Sequence, residues 1–182
     1  MNRNSIGDDN FYKPRMIEQF QFRFEYYLLA NKYDEALKYI EERTDRSFVK
    51  KEDYIPWKIL LQIEKKEYDK ALVTAAELDK KQAPYFLNLI RLLKGDISGT
   101  DAFFTEYYKD YNSSATPSRV YYDYALIDIY NKRYEAALPK LKAALDRRGI
   151  ANFFGYVSDE YPWKVYTAFG DAYGGLKKFE NT

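Results

Sequence analysis

A short pattern returns along the chain at nearly constant intervals, and it limits the fold more than any other feature. Tyr33-Asp34-Glu35-Ala36-Leu37 comes back as Tyr68-Asp69-Lys70-Ala71-Leu72 and as Tyr134-Glu135-Ala136-Ala137-Leu138, so the rule is Tyr, acid, any residue, Ala, Leu. Ala36 and Ala71 are 35 residues apart, Ala102 is the best match for a weaker copy 31 residues on, and Ala137 follows after another 35. Periods of this size mark stacked supersecondary units, each burying its apolar face against its neighbours.

Local periodicity gives two helices per unit. Phe20, Phe24, Tyr27 and Leu28 share one helical face, as do Tyr33, Ala36, Leu37 and Ile40. The expected helix pairs span 15–45, 55–81, 83–111 and 117–147, after a polar segment 1–14. Pro56, Pro84, Pro117 and Pro162 fall near the starts of first helices, where a missing amide hydrogen removes no bond. Thr116 is an expected cap, and Ser98 with Asp101 has capping-box spacing in a turn, Gly95 to Gly99, longer than its siblings. Residues 148–161 break the rhythm as an irregular aromatic stretch, and 162–182 begins another unit.

These residues resemble the tetratricopeptide-repeat family. The last unit places Tyr166, Phe169, Gly170 and Tyr173 at the aromatic, apolar, small and Tyr positions, with Phe179 at the following turn. The fourth unit supplies Tyr121, Tyr124, Ala125, Tyr134, Ala137 and Leu141, with Asp128 where Tyr is expected. The first puts Phe24, and the second Ile59, where the family has a small residue. The resemblance covers residues 15–182 and implies an all-α fold, a right-handed superhelical solenoid of antiparallel helix pairs.

Composition removes several kinds of chemistry. The 182 residues include no Cys and no His, so disulfides, thiolate nucleophiles, His-based general bases and the usual zinc sites are excluded. Lys plus Arg number 29 and Asp plus Glu 28, which leaves no global field toward nucleic acid or an anionic membrane. The polar start lacks the apolar stretch of a signal peptide, no stretch is long and apolar enough to span a bilayer, and a cytoplasmic location is expected. Asn112-Ser113-Ser114 matches a glycosylation sequon by spacing alone. Acid pairs such as Glu41-Glu42 and Asp159-Glu160 read as solvated faces, and neither catalytic residues, a metal site nor a cofactor is expected. The Tyr residues (20) and Phe residues (12) fall mostly at helical spacing, as core; Trp57 and Trp163 are possible binding hot spots.

The resemblance also implies a concave groove lined by first helices. Position by position, that points to Glu18, Gln21, Glu25, Arg91, Lys94, Arg119, Tyr122, Lys164 and Asp171. Family members that grip a terminal carboxylate use Lys and Asn where this chain has Gln21 and Glu25, so that activity is not implied. Mixed charges suit a peptide or helix of a protein partner carrying both signs. The expected function is a protein-interaction scaffold; the alternative is an accessory domain of a longer enzyme or sensor. The stripe Val165, Phe169, Ala172, Tyr173 and Leu176 is expected to need cover, from further chain or from another molecule, self-association included.

Overall fold

A computed structural model describes residues 23–24, 26–44, 51–111, 116–146 and 162–180. The polar segment 1–14, the sequon, the whole irregular stretch 148–161 and the side chain of Trp163 lie outside them. Every regular element among the described residues is helical. A first helix, α1, is described at residues 23–24 and 26–29. It is followed by α2 (Tyr33–Thr44), α3 (Lys51–Glu64), α4 (Tyr68–Ala75), α5 (Ala83–Leu93), α6 (Thr100–Tyr107), α7 (Ser118–Tyr130), α8 (Tyr134–Asp146) and α9 (Pro162–Glu180). No helix among the described residues is long and apolar enough to cross a membrane.

One turn closes the first helix of each pair four times. The amides of Asn31, Lys66, Gly95 and Lys132 donate to carbonyls three residues back at 2.9–3.0 Å. The next amides, of Lys32, Glu67, Asp96 and Arg133, reach carbonyls five residues back at 2.8–2.9 Å. These two bonds make a Schellman closure, which requires a left-handed residue at its centre. Asn31, Lys66 and Lys132 take φ of 54°, 58° and 59°, and Gly95 takes 92°. Five residues past each centre stands a fully buried small side chain: Ala36, Ala71, Thr100 and Ala137, all at 0% exposure.

The third copy therefore differs from its sequence reading. Ala102 is exposed, and Thr100 holds the buried place, so the intervals are 35, 29 and 37. The nonhelical connection is longer, as expected, because Gly99 at φ 73° delays α6. Neither Ser98 nor Thr116 caps a helix; Thr116 Oγ1 donates to Tyr111 O at 3.1 Å instead. Pro56 lies inside α3, which begins four residues earlier than expected, and α4 stops at Ala75 rather than continuing to 81. Phe179 lies within α9 instead of at a turn.

The chain divides into two compact units, residues 1–90 and 91–182. In the first, α3 packs on α2 and α4. Phe24, Ile59, Leu61 and Ala71 are buried there, with the Phe24 and Trp57 rings edge to face at 4.8 Å. Trp57 is thus half-buried, with its ring against the Phe24 side of this core. In the second unit α7 packs most extensively on α8, and α9 packs on both. α7 and α8 run antiparallel: Ser118 at the start of α7 donates to Ala144 O near the end of α8, while Asp128 near the end of α7 meets Arg133, just before α8, and Lys140 at its middle.

Candidate functional site

The nine groove candidates have different fates. Glu18, Gln21 and Glu25 lie outside the described side chains. Arg91 closes α5 with its side chain in solvent, and Lys94 is exposed in the turn behind it. Asp171 is exposed and Lys164 half-buried, both on α9. Arg119 and Tyr122 are different, at 9% and 8% exposure within α7. Arg119 bonds inward, to Tyr107: burial holds that phenol above the usual tyrosine range, outweighing the downward pull of the guanidinium.

Around that pair lies a polar interior that sequence reasoning missed. Asp123 is fully buried, one turn beyond Arg119 on α7, and accepts a bond from the hydroxyl of Tyr108, the residue that follows α6. Tyr108 stacks on Phe104 at 5.9 Å and meets Tyr124 edge to face at the same separation. Asp128, 2% exposed, occupies the place where the resemblance expects Tyr. Arg133 Nε donates to it at 2.8 Å, Lys140 Nζ takes the other oxygen, and Arg133 extends to Asp101 at 3.4 Å. The sequence signal was available: an acid at a position that helical periodicity places inward must find cations or donors on the facing helix. These contacts join helices, and each carboxylate is already engaged by neighbours of the chain.

α9 has two unlike faces. Val165, Ala168 and Ala172 are buried at 0–2%, and Gly175 is buried beside them. A methyl group at Gly175 would lie 2.3 Å from the Tyr134 ring of α8, so the glycine is what lets that ring in. On the other face Tyr166 and Tyr173 are 58% and 52% exposed. Phe169 is half-buried and stacks on Tyr173, with ring centres 6.2 Å apart. Gly170 is exposed, and a methyl group there would meet nothing within 4 Å. Of the expected stripe, then, Val165 and Ala172 are covered, Phe169 and Leu176 partly so, and Tyr173 stands open.

In the first unit a cavity of about 140 Å³ opens between α2, α3 and α4, bordered by Glu41, Lys58 and Glu77 over a floor of Ile40, Ile55 and Thr74. Its volume is below the few hundred Å³ typical of small-molecule sites. Among the described residues no three acids gather to hold a metal ion. No protein-family model, no curated protein and no solved structure matches the chain.

Proposed function

We propose that the chain is a tetratricopeptide-type scaffold, a right-handed superhelical solenoid of antiparallel helix pairs, which holds a peptide or helix of a protein partner and performs no chemistry of its own. The supporting observation is the fourfold Schellman closure, each followed five residues later by a buried small side chain. Units repeated in this way build an extended surface from local contacts instead of a single deep pocket. Exposed charges of both signs, at Arg91, Lys94 and Asp171, supply electrostatic registration for a bound segment. Arg119 and Tyr122 act in this reading from beneath the surface, by fixing α7.

Affinity capture with the full chain tests the proposal. The wild type is compared with an Arg91→Glu, Lys94→Glu variant, both positions being exposed and so tolerant of reversal. A protein retained by the wild type and lost from the variant, with equal helicity by circular dichroism, is the expected result. Identical retained sets would overturn the groove.

A further inference from the structure

The cavity between α2, α3 and α4 combines an apolar floor with two opposite charges that do not pair, and we infer that it binds a free α-amino acid with an apolar side chain. This goes beyond the scaffold reading and does not depend on it. The floor is Ile40 of α2 with Ile55 of α3, 3% and 7% exposed, and buried Tyr54 and Thr74 border it. An apolar cavity of about 150 Å³ holds one benzene ring. The volume of about 140 Å³ therefore takes one side chain the size of leucine or phenylalanine, and is too small for a nucleotide.

Lys58 and Glu77 stand at the rim, the first half-buried on α3 and the second exposed just past the end of α4. Both border one cavity, yet neither side chain makes an ion pair among the described residues. Glu41, the other acid of the rim, has a partner of its own, so the charges left to a ligand are one ammonium and one carboxylate. A half-buried ammonium without a counter-ion carries a desolvation cost that an incoming carboxylate offsets. The complement of one cation, one anion and an apolar floor is a zwitterion with an apolar body. An internal segment of a polypeptide presents neither backbone charge, so the pair of charges favours the free amino acid over a peptide of a partner or of this chain.

The fourth repeat shows why the space exists in the second. Lys66 and Lys132 centre equivalent turns and Ala71 and Ala137 hold equivalent buried places, each pair 66 residues apart. At that interval Lys58 corresponds to Tyr124 and Thr74 to Lys140. Those two long side chains of the fourth repeat meet, with Lys140 Nζ 5.9 Å from the Tyr124 ring centre, and Lys140 also bonds to Asp128. Thr74 is too short to make the matching contacts. Gln62, at the place of Asp128, correspondingly keeps a buried amide oxygen with no donor. The second repeat therefore lacks the long side chain that makes its counterpart self-contained, and a small amphoteric ligand supplies both the bulk and the ammonium.

Isothermal titration calorimetry of the full chain with L-leucine and L-phenylalanine tests the site. Saturable binding is expected for at least one of them below about 10 mM. Lys58→Met and Glu77→Gln should each weaken it about tenfold or more, through loss of one charge-assisted hydrogen bond. Thr74→Lys, which restores the side chain of the fourth repeat, should abolish it. Hydrocinnamate, which is phenylalanine without its amino group, should bind more weakly than phenylalanine and be indifferent to Glu77→Gln. Circular dichroism confirms that each variant is folded. The groove variant Arg91→Glu, Lys94→Glu should leave the titration unchanged, so either site can fail without the other. Absence of saturable binding of both amino acids, or binding indifferent to both charge variants, overturns the inference. So does binding that Thr74→Lys leaves intact, which places the ligand elsewhere, and so does N-acetyl-leucinamide binding as tightly as leucine, which makes the cavity a pocket for a residue within a peptide.

Discussion

Three glycines in α9 separate two physical roles that a sequence cannot distinguish. Gly170, Gly174 and Gly175 are all interior to a 19-residue helix. At Gly170 and Gly174 a Cβ meets no atom within 4 Å, so alanine there removes backbone entropy from the unfolded chain at no steric cost. Each substitution should stabilise the protein by about 0.5–1 kcal/mol. At Gly175 the same change drives a methyl group into the Tyr134 ring and should destabilise by about 1 kcal/mol net, helix gain included. Urea unfolding of the three single variants gives the contrast. In a Tyr134→Ala background, Gly175→Ala should become stabilising, because the atom it strikes is gone.

At the scale of the element, the third repeat shows what was legible and what was hidden. The Tyr-acid-x-Ala-Leu copies located α2, α4 and α8 because their buried alanine is followed by leucine in a regular helix. α6 was placed by the nearest alanine, Ala102, which faces solvent, whereas the buried position belongs to Thr100, whose hydroxyl donates to Ile97 O at 2.9 Å. Gly95 held the correct signal: a glycine ending an apolar helix suggests the left-handed centre of the closure, and the buried position follows five residues later. Among the site candidates, Arg91 and Asp171, which came from the family resemblance, are exposed. The burial of Arg119 was not legible, since its partner Tyr107 is contributed by another helix, α6. The corrected register has a direct consequence. Ala102→Leu should change stability by less than about 0.5 kcal/mol as a surface substitution. Ala137→Leu overfills a fully buried site and should cost about 1–3 kcal/mol, read from the shift in the thermal midpoint.

Over the whole molecule, the more extensive contacts among described helices join neighbours in the chain: α2 with α3, α3 with α4, α6 with α7, α7 with α8, and α9 with the two before it. Connectivity of this kind makes stability a sum of local terms, in which a lesion weakens its own unit first. Leu141 is fully buried in α8, and α8 contacts α7 on one side and α9 on the other. Leu141→Ala removes its packing from the centre of residues 91–182 and should cost about 2–5 kcal/mol there. Native-state hydrogen exchange separates a local response from a global one. With unit-by-unit behaviour, amides of α7, α8 and α9 lose protection together, while those of α3 and α4, inside residues 1–90, keep wild-type exchange. Equal loss of protection in α3 and α4 would mean that the 182 residues unfold as one cooperative body, and that the additive, repeat-wise stability expected of a solenoid does not hold for this chain.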